Sequence, residues 1–159
     1  MQISRTPYRI SLFGGGSDHP RWFRYNRGRV LSFAINKYSY LMGREIPAIF
    51  MHKYRLAYSR FETPSNIEEI LHPAFREGIR HFGKELRLEL QHQGDLPPRS
   101  GVGSSSSFAV GLINILEKLN GNTLTKEELA RKAIYLEQEV LGENVGCQDQ
   151  IAVSHGGIN

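Results

Sequence analysis

The residues best suited to chemistry lie in one short run, Gly101-Val102-Gly103-Ser104-Ser105-Ser106-Ser107, preceded by Pro97-Pro98-Arg99-Ser100. Glycines let a backbone approach a ligand closely and turn successive N–H groups inward. A helix that starts directly after such a loop adds unpaired N–H groups and the positive end of its dipole, a combination suited to polyphosphate. Serine hydroxyls supply further short donors and can ligate magnesium. The expected phosphate-facing set is therefore Pro98, Gly101, Val102, Gly103, Ser104, Ser105, Ser106 and Ser107. An ordinary serine-rich turn is the plainer alternative, and the position of the loop between a strand and an amphipathic helix argues against it.

Two other phosphate-binding patterns are excluded. A P-loop needs G-x-x-x-x-G-K-[ST], and the chain contains neither Gly-Lys-Ser nor Gly-Lys-Thr. A dinucleotide fingerprint needs a third glycine after Gly101 and Gly103, where Ser106 stands.

The elements that must position this loop follow from periodicity. Ile3 to Phe13 is rich in strand-forming residues and runs into the turn Gly14-Gly15-Gly16-Ser17-Asp18. Val30 to Met42 and Leu56 to Tyr58 carry the β-branched and aromatic content of strands. Phe75, Ile79 and Phe82 share one side of a helix over Ala74 to Phe82, and Leu86, Leu88 and Leu90 alternate as in a half-buried strand. Gly94-Asp95-Leu96-Pro97-Pro98 breaks that strand. Beyond the serines, Phe108, Leu112, Ile115, Leu116 and Leu119 define a helix that Gly121 and Asn122 end. Thr125 and Glu128 form a capping box for a second helix, with Leu129, Ala133, Leu136 and Val140 facing the core. The tail from Gly142 to Asn159 reads as loop. The fold class is α+β, strands first and helices late.

The chain of 159 residues has room for one well-packed domain, 1–159. Twenty Lys and Arg against sixteen Asp and Glu leave a net charge of +4, which suits anionic ligands. The densest basic cluster is Arg21, Arg24, Arg27 and Arg29, either a solvated face or a grip on a phosphate already carried by a substrate. No nucleic-acid motif, membrane-length apolar run or secretory leader is present, so neither nucleic acid nor membrane is an expected partner. Cys147 stands alone, which excludes a disulfide framework and a Cys-based zinc site and points to a reducing cytoplasm. The six histidines show no metal-ligand spacing.

The run Pro-x-x-x-Gly-x-Gly-Ser-Ser resembles the second motif of the GHMP kinases (galactokinase, homoserine kinase, mevalonate kinase and phosphomevalonate kinase). Thr6-Pro7-Tyr8-Arg9-Ile10-Ser11-Leu12-Phe13-Gly14-Gly15-Gly16-Ser17-Asp18 is similar to the family's first motif, which lines the substrate site. Glu137 to Gln150, ending Val145-Gly146-Cys147-Gln148-Asp149-Gln150, is similar to the segment that carries its acidic catalytic residues. The resemblance extends from residue 6 to 150. It implies the family's N-terminal domain, a ribosomal protein S5 domain 2-like α+β fold with a mixed sheet packed against helices.

It also implies ATP and Mg²⁺ as cofactors, with Ser105 and Glu137 as the metal ligands; Glu139, two residues on, should point away. Asp149 would be the catalytic base and Arg9 the guanidinium that stabilises the reacting centre and lowers the Asp149 pKa. Arg9, Gly15, Gly16 and Asp18 would line the substrate site, with Asp18 accepting bonds from sugar hydroxyls. Gly15 and Gly16 replace the Glu-His pair of galactokinases, which argues against galactose. The Phe-Gly-Gly-Gly-Ser-Asp turn, Gly-x-Gln-Asp-Gln and His155-Gly156-Gly157 are most similar to the D-glycero-D-manno-heptose 7-phosphate kinase branch, which phosphorylates the anomeric hydroxyl; L-fucokinase shares a similar turn. The expected partner is a sugar or sugar phosphate. The alternative from another class is a sugar or nucleotide sensor without turnover. Family members also carry a C-terminal domain with a third glycine-rich motif, expected to be absent from this chain, and apolar surface exposed by its absence would favour a homodimer.

Overall fold

Strand β1 (Gln2–Phe13) alternates buried Ser4, Thr6 and Tyr8 with exposed Ile3 and Arg5, so one face lies against the core. It pairs antiparallel with β2 (Leu31–Glu45) in the computed structural model, which describes residues 1–83 and 85–159. β3 (Tyr54–Ala57), the short β4 (Phe61–Glu62) and β5 (Leu88–Gly94) complete a sheet ordered β1-β2-β5-β3-β4 among the described residues. β3 runs parallel to β5, while the β2–β5 and β3–β4 pairs are antiparallel. The sheet is therefore mixed, and the α+β expectation is met.

Helix α1 (Pro20–Phe23) is a single turn after β1; α2 (Pro73–Phe82) precedes β5, in the order the periodicity predicts. Helix α3 (Ser104–Leu119) lies across β1 and β2 and touches α2, α4 (Lys126–Tyr135) and α5 (Gln148–His155). The Thr125–Glu128 capping box is formed in both directions, Thr125 Oγ1 accepting from Glu128 N (3.2 Å) and Glu128 Oε2 from Thr125 N (2.8 Å). Leu41, Leu56, Leu88 and Leu90 from the sheet meet Phe75 and Ile79 of α2, Leu112, Ile113 and Leu116 of α3, and Ala133 of α4. Each fully buried Leu, Ile or Phe among these contributes about 1.5–3 kcal/mol of burial free energy. The opposite sheet face stays open, with Ile3, Ile10 and Leu12 exposed.

Two segments differ from the sequence reading. After Tyr135 the helix does not continue as α: Leu136–Val140 forms a π-turn closed by Leu141 N–H on the Leu136 carbonyl (2.9 Å). The tail is not all loop, because Gln148–His155 is helical. No helix of the described residues is long and apolar enough to cross a membrane.

Candidate active site

The glycine–serine loop is fastened to β1 at an irregularity in the strand. The β1–β2 register shifts between Pro7 and Arg9. There the Pro7 carbonyl accepts from Ser107 Oγ (2.9 Å) and Arg9 N–H donates to the Val102 carbonyl (3.0 Å). The loop then enters α3 through Gly103, whose φ of 74° is left-handed. A Cβ there would sit 3.3 Å from both Arg9 Cγ and Asp149 Oδ2, so close approach and dihedral both call for glycine. No side chain caps α3, which leaves the first-turn N–H groups of Ser104, Ser105 and Ser106 available at the positive end of a 16-residue helix.

The serines sort by direction. Ser105 is exposed, and its hydroxyl donates to Glu137 Oε1 (2.8 Å). Ser106 is buried and donates to Glu137 Oε2 (2.8 Å). Ser107 is fully buried, its hydroxyl within bonding distance of the Pro7 and Gly103 carbonyls. The expectation of a ligand-facing hydroxyl is therefore corrected for Ser107, which the helical repeat carries to the core, while Ser106, though buried, still borders the cavity beside Glu137. The Val102 and Gly101 carbonyls accept from Arg9, and Pro98 is exposed at the loop's edge.

Glu137, on the π-turn, is 1% exposed and accepts from Ser105, Ser106 and the Gln150 side-chain amide. Burial pushes its carboxyl above the ordinary glutamate value; the three donors oppose this, and the nearby Asp149 charge adds to it. Glu139 is exposed, as its spacing predicts. No cluster of three or more His, Cys, Asp or Glu suited to a metal occurs among the described residues. The Ser105 hydroxyl and Glu137 carboxylate form a smaller set of converging hard oxygens. That set fits Mg²⁺, which takes one or two protein groups and completes its shell with phosphate and water.

Asp149, in the first turn of α5, meets Arg9 in a two-pronged pair: Arg9 Nε donates to Oδ1 and Nη2 to Oδ2, each at 2.8 Å. Arg9 Nη1 also donates to the Gly101 carbonyl (2.8 Å), so one guanidinium ties β1, the loop and α5 together. Arg9 is buried rather than a surface arginine. Burial is the largest influence on Asp149 and raises its carboxyl; Arg9 opposes the rise and the Asp18 charge adds to it. Arg9 lowers the Asp149 pKa as expected, but desolvation outweighs the guanidinium and the net shift is upward.

Asp18 is half-buried, and its carboxylate accepts from the backbone N–H groups of Cys147 (3.0 Å, Oδ1) and Gln148 (3.0 Å, Oδ2). It thus also caps α5, a role beyond the expected bonds to sugar hydroxyls. Gly146 has no space for a side chain because an added Cβ would overlap Asp18. Gly15, Gly16, Asp18, Ser105, Glu137 and Asp149 all border one cavity of about 280 Å³. Gly16 faces open space, while Gly15 accepts from Gln148 Nε2 (3.4 Å).

Sequence reasoning assigned no role to Gly146, Gln148 or Gln150. Gln148 bridges Ser11 Oγ (3.1 Å) and the Gly15 carbonyl, and Gln150 donates to Glu137. The available signal was their position on either side of Asp149.

Fold and geometry define a two-layer α+β domain that presents a glycine–serine loop, at a helix N-terminus, to a partly buried Asp–Arg pair. The model of the GHMP kinases N-terminal domain matches residues 68–157, and the chain belongs to that family. A D-glycero-alpha-D-manno-heptose 7-phosphate kinase of Campylobacter jejuni is 31% identical over 98% of this chain and 49% of its own. A galactokinase of Pyrococcus furiosus is 28% identical over 96% of this chain and 43% of its own. The crystal structure of a D-glycero-D-manno-heptose 1-phosphate kinase from Bacteroides thetaiotaomicron superposes with a TM-score of 0.85 at 26% identity, covering 99% of this chain and 54% of that one. The chain thus spans about half the length of the curated relatives it matches.

Proposed function

We propose that the protein is an ATP-dependent sugar kinase that transfers the γ-phosphoryl group to the anomeric hydroxyl of D-glycero-D-manno-heptose 7-phosphate. The observation that carries this reading is the single cavity onto which Ser105, Glu137, Asp149 and Asp18 all open. The heptose-phosphate names of two relatives support the substrate class.

Phosphoryl transfer requires chiefly positioning and charge neutralisation. The N–H groups of Ser104 to Ser106 and the α3 dipole hold the ATP phosphates. Ser105 and Glu137 would hold Mg²⁺, which would supply charge neutralisation for the transferring phosphoryl group. Asp149 accepts the proton of the sugar hydroxyl as the new O–P bond forms and the bond to the departing ADP breaks. Arg9 fixes the carboxylate in the orientation that receives it. Residues 1–159 constitute the nucleotide-binding half in this reading, a second domain closes the substrate side, and the setting is cytoplasmic.

The test is ADP release by the full-length protein across a panel of sugars and sugar phosphates. Turnover is expected with the heptose 7-phosphate, and tight ATP binding without turnover on any sugar overturns the reading.

A further inference from the structure

Asp18 and Gln148 have a second cavity on their other side. It measures about 510 Å³ and is bordered by Phe23, Arg29, Val30, Cys147 and Ile151 together with Asp18 and Gln148. The two cavities thus share a wall formed by Asp18 and Gln148.

Arg29 is built into this second cavity. Its backbone N–H donates to Ser17 Oγ (3.1 Å), and the same hydroxyl lies within bonding distance of the Gly14 (2.7 Å) and Arg29 (3.2 Å) carbonyls. Gly14 has a left-handed φ of 79°, and an added Cβ would overlap the Arg29 carbonyl. A Cβ on Gly28 would press on Ser17. Ser17 therefore locks the Gly14–Asp18 turn against Gly28–Arg29 and fixes the root of Arg29 beside Asp18.

The guanidinium itself is uncommitted: among the described residues Arg29 has no carboxylate partner and no side-chain hydrogen bond. The segment from Pro20 to Val30 contains four arginines and no acidic residue. The one acidic side chain on the cavity wall among the described residues, Asp18, is engaged by the N–H groups of Cys147 and Gln148. A planar fork of donors in a basic segment matches a phosphate ester, which it can grip through two parallel bonds. Phe23 and Val30 offer apolar surface to the carbon skeleton that carries the phosphate.

We infer that Arg29 binds the phosphate ester of a sugar-phosphate substrate, placing the end remote from the reacting hydroxyl in the second cavity. This inference rests on the sugar-kinase reading and adds to it the residue that selects a phosphorylated over an unphosphorylated sugar. Among the four clustered arginines, the structure singles out Arg29 because Arg21, Arg24 and Arg27 do not border the cavity.

The test compares Arg29→Ala and Arg29→Lys with the unsubstituted full-length protein, using D-glycero-D-manno-heptose 7-phosphate and the same heptose without phosphate. Loss of a charge-assisted bidentate contact raises KM for the phosphorylated sugar about 10- to 100-fold. KM for ATP and for the unphosphorylated heptose stays unchanged, and Arg29→Lys recovers part of the loss. Unaltered preference for the phosphorylated sugar in Arg29→Ala overturns the assignment. Calorimetric titration of both sugars separates the two readings. Absence of turnover in the unsubstituted protein sinks the kinase, whereas a binding preference for the phosphate ester that Arg29→Ala abolishes upholds the subsite, and no such preference refutes it.

Discussion

Arg9 and Asp149, 140 residues apart in the chain, share a pair of parallel 2.8 Å hydrogen bonds in which burial and the guanidinium pull the carboxyl pKa in opposite directions. Removing the guanidinium leaves desolvation and the Asp18 charge unopposed. In Arg9→Met the acid limb of the pH–kcat/KM profile, which reports the free enzyme's base, therefore moves to higher pH. kcat falls by about 100- to 1,000-fold if Arg9 also stabilises charge in the transition state. A limb that stays in place, or moves down, contradicts the assignment of Asp149 as base.

Asp18 acts on the same carboxyl with the opposite sign. Its charge raises Asp149, so Asp18→Asn moves the acid limb to lower pH. The substitution also replaces one acceptor at the start of α5 by a donor, which costs about 1 kcal/mol of stability. Opposite shifts in the Arg9 and Asp18 variants, read from two pH profiles, isolate electrostatics from general damage to the site.

Gly146→Ala tests the packing beneath that cap. The added methyl overlaps Asp18, so either the carboxylate leaves the N–H groups of Cys147 and Gln148 or α5 shifts. Both outcomes displace Asp149. The expected result is a lower kcat together with a loss of about 1–3 kcal/mol in urea unfolding. Unchanged stability would mean that the Asp18–Gly146 contact relaxes freely.

These long-range ties explain which parts of the site were legible in the sequence. The apolar face of α3 and the Thr125 capping box are written in local spacing, but α3 begins at Ser104, so the four serines read as loop form its first turn. Helix α5 was hidden because its N-terminus is capped by Asp18, about 130 residues earlier, while Cys147 at the cap position provides no side-chain bond. The π-turn at Leu136–Val140 was hidden for a related reason: its hydrophobic pattern continues that of α4, and nothing local marks the change to i+5 bonding. A run of four serines likewise contains no mark of which hydroxyls turn inward. That is decided by Glu137 and by the Pro7 carbonyl, neither of them a neighbour in sequence.

Glu137 links stability to pH and to metal. Its folded-state pKa lies above the ordinary 4.5, so its contribution to stability is full below that pH and is lost as pH rises through the folded value. Glu137→Gln removes this titration. Without nucleotide, the variant's melting temperature relative to wild type should climb between pH 4.5 and 7. Saturating Mg-ATP reverses the order at pH 7, because the wild type gains about 2.7 kcal/mol at one hundred times Kd and the variant gains less. Equal Mg-ATP stabilisation of the two proteins in scanning calorimetry would remove Glu137 from the metal site.

His92 supports the phosphate loop from behind and sets a limit on the acid side. Its ring packs edge-on to Phe108, one residue beyond Ser107, at 5.0 Å between centroids, and its Nε2 lies 2.9 Å from Ser39 Oγ. Burial, with His72 close by, pushes its pKa down to about 4. A depressed histidine contributes stability that is present above the unfolded value near 6.5 and lost as pH falls through about 4. The loss amounts to something on the order of 3 kcal/mol. His92→Gln keeps a hydrogen-bonding partner for Ser39 but cannot titrate. The fall in unfolding free energy between pH 6.5 and 4 should therefore be markedly shallower in the variant than in the wild type. Because Phe108 belongs to the helix that begins at the loop, ATP affinity in the wild type should weaken over the same interval. Parallel stability curves for the two proteins would show that the His92 ring does not govern the acid response.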